Sequence, residues 1–191
     1  MTGARLLTGA VAAVVAVAAC ALLSPGRPTP PRVHRVAAGG AGAPEFATGF
    51  EAGGDRVVTV AHVLDAGPAV SVDGRRAVVV RVDRRDDLAL LRVPGLSTRS
   101  IRTGAGAIGP VALLARPARV RRPLTAVVRG ELRPALDLDA AVAPGDSGAP
   151  VIGRDGRVVG VLFAASRERA RTAYAVDGTA VGGLLRQTAR R

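Results

Sequence analysis

The chain has 191 residues, 48% apolar but only 2% aromatic, so Val, Ala and Leu have to fill its core. All 27 basic side chains are arginine and the net charge is +12, yet the arginines are scattered over turns and strand edges with no aromatics between them, which argues against nucleic acid. A single cysteine excludes an internal disulfide, and no Cys/His cluster has metal-ligand spacing, so neither a metal nor another cofactor is expected.

In chain order, residues 6–23 come first: uncharged, largely apolar, placed after Arg5 and before a Pro-rich stretch. The length lies between a signal peptide core and a membrane-spanning helix. A retained signal anchor over 1–23 is the preferred reading. Cys20, in Val-Ala-Ala-Cys, is a candidate for lipidation, and secretory cleavage is a third route. Residues 24–43 read as a Pro/Gly/Ala-rich linker and 44–191 as one folded domain.

From residue 45 onward, short apolar runs are broken by turn signals, the pattern of an all-β domain. Strands are predicted over 46–52, 56–63, 69–72, 77–82 and 88–93, with Asp73-Gly74 as a hairpin turn. After a link over 104–110, a second set follows at 111–115, 124–132, 136–141, 150–152, 158–164 and 173–176, and 178–190 reads as a C-terminal helix. Two sets of about six strands fit two packed antiparallel six-stranded barrels, which leave no exposed sheet edges.

Three segments carry chemistry. Residues 143–151 read Ala-Pro-Gly-Asp-Ser-Gly-Ala-Pro-Val, a serine held between glycines in a tight turn before an apolar strand. Such a turn lets the Ser147 hydroxyl stand clear of the sheet, while the N–H groups of Gly145 and Ser147 converge on one point where an oxyanion can form. A serine is a poor nucleophile without a base. His62, one of only two histidines, ends the apolar run 57–61, and Asp87 opens the run 88–93. A carboxylate on an imidazole fixes its tautomer and stabilises the imidazolium, and the order His, Asp, Ser is one of the few known for such a triad.

On these residues the chain resembles the trypsin-like (chymotrypsin-fold) serine peptidases, above all the membrane-anchored actinobacterial periplasmic proteases, with HtrA-type proteases more distant. The matching stretches are 47–50, 57–63, 87–91, 144–150, 156–163 and 172–176. The resemblance implies that His62 is the general base, Asp87 its orienter and Ser147 the nucleophile, with Gly145 and Ser147 as the oxyanion hole. It implies an exported serine endopeptidase, anchored at the membrane by its N-terminal segment with the catalytic part outside the cytoplasm, acting on peptides or proteins. A monomer is expected.

The same resemblance places the substrate pocket at Ala141, Ala164, Ala165 and Tyr174. Ala141 stands where trypsin-type relatives carry the acid that selects basic side chains, so a small or medium apolar side chain is expected before the cleaved bond. Two positions depart from the family: Ala149 replaces a glycine, and Phe163 lies near where relatives carry a hydroxyl that helps hold the aspartate. For Asp146, an ion pair with an arginine is preferred over activation by cleavage at Arg35-Val36. The alternative function is a non-catalytic binding module at the cell envelope, and a secreted esterase would use the same triad.

Overall fold

A computed structural model describes residues 29–40 and 42–189. The segment 6–23, including Cys20, lies outside these residues, and among them no helix is long and apolar enough to cross a membrane.

The first half is an antiparallel sheet of β1 (Val33–Gly39), β2 (Glu45–Glu51), β3 (Arg56–Val60), β4 (Ala69–Val72), β5 (Arg75–Arg76), β6 (Val78–Asp83) and β7 (Leu88–Arg92). The strand order is β5-β4-β1-β2-β3-β7-β6. The unbroken apolar run Leu-Ala-Leu-Leu of β7 suits its place between β3 and β6, where all four residues are buried. β6 is an end strand and leaves Val78, Val79, Val80 and Val82 largely exposed.

The second half comprises β8 (Gly109–Leu113), β9 (Arg116–Val128), β10 (Glu131–Asp139), β11 (Pro150–Ile152), β12 (Val158–Ala165) and β13 (Thr172–Asp177), followed by the helix α1 (Gly178–Ala189). These six strands form a closed barrel in the order β10-β13-β12-β11-β8-β9.

Four expectations need correction. The first half is a seven-stranded sheet with β5 and β6 at its ends, rather than a six-stranded barrel. Two strands were not expected: the two-residue β5, and β1, which falls inside the stretch read as linker, where its composition is weak but pairing with β2 on one side and β4 on the other recruits it. The strand expected over 124–132 is interrupted at Arg129-Gly130, where both residues have positive φ (49° and 87°) and turn β9 back into β10. That geometry is a two-residue hairpin turn, here without the Asn or Asp that usually announces one. Finally, the strand expected over 56–63 stops at Val60, and His62 opens a short 3₁₀ turn, His62–Ala66.

The core explains how the halves are held together. Val36, Phe50, Val58, Leu90 and Leu91 of the sheet share one cluster with Ile152, Val158 and Val161 of the barrel and with Val181 and Leu184 of α1. The barrel interior is filled by Leu113, Leu136, Leu138, Val151 and Leu162. β12 thus serves both cores, Val158 and Val161 facing one and Val159 and Leu162 the other. The two halves pack along a continuous apolar seam, and His62, Asp87 and Ser147 lie in turns and loops between the strands.

Candidate active site

His62 is placed by the end of β3. The Ala61 N–H donates to the Asp87 carbonyl (2.9 Å), closing the chain just before the imidazole. Asp87 sits in the turn before β7 with φ 51°, a left-handed conformation that Asp adopts more readily than most residues. Its carboxylate takes two bonds from one residue. The His62 main-chain N–H donates to Oδ1 (2.9 Å), and Oδ2 lies 2.6 Å from His62 Nδ1. Asp87 is buried, whereas the His62 side chain keeps about a third of its surface open.

This arrangement settles the ring's chemistry. A carboxylate only accepts, so Nδ1 carries a proton and Nε2 is the basic nitrogen of the neutral ring. The bond from Asp87 holds His62 above the ordinary histidine range, opposed by partial burial; the charges of Asp87 and Glu45 add to the rise, and Arg129 counters it. Among the described residues no hydroxyl donates to Asp87. Phe163 packs against the shared core.

Ser147 lies on the loop between β10 and β11, and this loop is tied to the first sheet. The Thr48 N–H of β2 donates to the Ser147 carbonyl (2.7 Å), and the Thr48 hydroxyl donates to the Gly145 carbonyl (2.9 Å). Thr59 of β3 then donates its hydroxyl to the Thr48 carbonyl (2.8 Å). The Ser147 loop is therefore bonded to β2, and β2 to β3, the strand that precedes His62. Toward the barrel, the Gly148 N–H donates to the Leu162 carbonyl (2.7 Å).

Gly145 and Gly148 have φ of 92° and 90°, a region that favours glycine. Gly148 also permits a close approach, since a Cβ there would lie 2.0 Å from the Thr48 carbonyl oxygen. Among the described residues, the Gly145 and Ser147 N–H groups have no intramolecular acceptor. No hydrogen bond joins His62 directly to Ser147 among those residues; the Thr48–Thr59 relay brings their segments to one seam.

Asp146 is held in place from the barrel side. Arg116 Nη2 lies 2.7 Å from its Oδ2, which also accepts the Ala143 N–H (2.9 Å). Arg35 and Val36, in contrast, lie within β1, paired with Thr48 and Ala47.

Of the residues expected to line a substrate pocket, Ala164 and Ala165 close β12, Tyr174 lies in β13 and Ala141 follows β10. Ala164 faces Tyr174 across the β12–β13 ladder and Ala165 faces Ala173, close after the Leu162 that bonds the Ser147 loop. Ala141 follows the end of β10 and is exposed. The Tyr174 hydroxyl accepts from Arg169 (2.7 Å), so its tip is a polar anchor rather than core. Sequence reasoning missed Thr48 and Thr59; the one signal was a polar residue inside the apolar run 57–61, and Thr59 is fully buried.

A profile of the trypsin-like peptidase domain matches residues 47–161. Serine protease Rv3671c of Mycobacterium tuberculosis (strain H37Rv) is 32% identical over 161 residues, covering 72% of this chain and 41% of that protein. The chain thus spans less than half the length of the curated relatives it matches. The crystal structure of the Rv3671c protease in its active form is similar with a TM-score of 0.71 at 28% identity, covering 85% of this chain and 82% of that one. The MamO protease domain of Magnetospirillum magneticum (TM-score 0.67, 23% identity, 84% of this chain and 98% of that one) shares the fold. The chain belongs to the trypsin-like peptidase domain family, and its curated relatives are serine proteases.

Proposed function

We propose that the protein is a serine endopeptidase in which His62, Asp87 and Ser147 act as a catalytic triad. Ser147 Oγ attacks the carbonyl carbon of a peptide bond while His62 Nε2 takes its proton. The new oxyanion is received by the Gly145 and Ser147 N–H groups, and Asp87 stabilises the imidazolium. The imidazolium then gives its proton to the leaving amine, and water, deprotonated by the same nitrogen, releases the acyl group. The observation that carries this reading is the pair of hydrogen bonds between His62 and Asp87, at ring and main chain, which occupies Nδ1 and leaves Nε2 free to act as the base.

Small side chains at Ala141, Ala164 and Ala165 support a preference for a small or medium apolar residue before the cleaved bond, with Tyr174 at the pocket's edge. The Arg116–Asp146 pair supports an oxyanion loop ordered without cleavage at Arg35-Val36, a bond that lies inside a paired strand. The apolar segment 6–23 supports an exported protein anchored at the membrane, the folded part acting outside the cytoplasm. The test is digestion of a peptide library by the full chain and by Ser147→Ala. Cleavage by the first alone is expected; equal cleavage by both overturns the proposal, and binding of peptides without cleavage by either would favour a binding module.

A further inference from the structure

The tip of the β9–β10 hairpin belongs to the barrel, yet its charged side chains reach the two segments of the first sheet that carry the base and its orienter. Arg129 Nη1 donates to Asp65 Oδ2 (2.9 Å), and Asp65 lies in the 3₁₀ turn that His62 opens. The other Asp65 oxygen is bonded by Arg84 (2.9 Å). Arg133 Nε lies 3.3 Å from Asp86 Oδ1, and Asp86 directly precedes Asp87. Arg85 donates to Glu131 Oε2 (3.0 Å), which also accepts from Arg133 (3.1 Å). The turn geometry at Arg129-Gly130 sets where this tip ends.

We propose that the hairpin tip is a charged clasp across the seam, in which Arg129 acts through Asp65, and Arg133 through Asp86, to position His62 and Asp87 against the Ser147 loop. Neither arginine needs to touch substrate; both are positioning residues. The clasp rests on the triad reading and extends it with a second tie between the halves, separate from the Thr48–Thr59 relay. Arg129 has a further effect by charge. The charged groups acting on His62 are Asp87 and Glu45, which favour its protonation, and Arg129, which opposes it. An arginine held at the tip therefore lets the base stay neutral at lower pH than Asp87 alone would allow.

The experiment follows the rate at which a fluorophosphonate probe acylates Ser147 in the full chain, across the acid limb of its pH profile. Exposed ion pairs contribute about 0.2–1 kcal/mol each, so Arg129→Ala is expected to slow acylation by up to about fivefold. Its acid limb moves to higher pH, because the cation opposing protonation is gone. Arg129→Lys keeps the limb where the wild type has it. Asp65→Asn slows acylation while retaining the arginine, and decides the matter if Arg129→Ala does not fold. A profile for Arg129→Ala that superimposes on the wild type, a slower rate with an unmoved limb, or an unchanged rate in Asp65→Asn overturns the clasp. Absence of any Ser147 adduct in the wild type overturns the triad reading itself, and the clasp's catalytic role with it.

Discussion

Gly148→Ala is the most informative perturbation of the seam. The added Cβ would lie 2.0 Å from the Thr48 carbonyl oxygen and 2.9 Å from the Thr59 hydroxyl, where ordinary contact begins near 3.4 Å. The first obstacle is backbone in the middle of β2 and cannot swing aside. Relief requires the serine loop to retreat from β2, which breaks the bonds from Thr48 to the Ser147 and Gly145 carbonyls. The left-handed φ adds about 1–2 kcal/mol for a residue with a Cβ, and the two lost bonds about 0.5–1.5 kcal/mol each. Together these predict a destabilisation of about 3 kcal/mol, a large part of a typical domain's stability. Urea unfolding reads the midpoint, and probe acylation of Ser147 reads the site. Gly145→Ala is the control: a Cβ there meets nothing within 4 Å, leaving only the backbone cost of about 1–2 kcal/mol. A Gly148→Ala protein with wild-type midpoint and acylation rate would refute the idea that the Ser147 loop is built against β2.

Two further predictions concern charge. Because Asp87 raises the His62 pKa, activity is expected to fall as pH drops through that raised value, while the stability contributed by the protonated ring runs the other way: it is fully present below about pH 6.5 and lost as pH rises through the folded value. Asp87→Asn removes the rise, so the acid limb of any residual activity should move to lower pH; an unmoved limb means the limb does not report His62. Arg116→Ala leaves the Asp146 carboxylate without its cation, and a partly buried pair of this kind predicts acylation slower by about fivefold with little loss of stability. Undiminished acylation in that variant would show that the oxyanion loop orders itself without the pair.

Much of the candidate site could be read from the sequence because each triad candidate comes with its own local signature. The Gly-Asp-Ser-Gly turn, the histidine closing an apolar run and the aspartate opening another are each written within a few neighbouring positions. What eluded the sequence depends on partners far along the chain. β1 has no strong strand pattern and forms because β2 and β4 pair with it from both sides. The turn at Arg129-Gly130 lies inside the stretch 124–132 read as one strand, since arginine is an unusual first residue for that geometry. The residues that join the halves are separated too widely for any pattern to link them: Thr48 bonds Gly145 and Ser147, and Arg129 bonds Asp65. The tally of sheet edges went astray for the same reason, as closure depends on tertiary pairing and leaves β6 at the end of an open order.

The central claim is that Ser147 is made nucleophilic by His62 across the seam. Its most direct test is mass spectrometry of peptides from the full chain after fluorophosphonate treatment, comparing the wild type with His62→Ala. The account predicts a covalent adduct on Ser147 that is lost in the variant while the fold survives. An adduct of equal yield on Ser147 in both proteins, or one on a different serine, would contradict it.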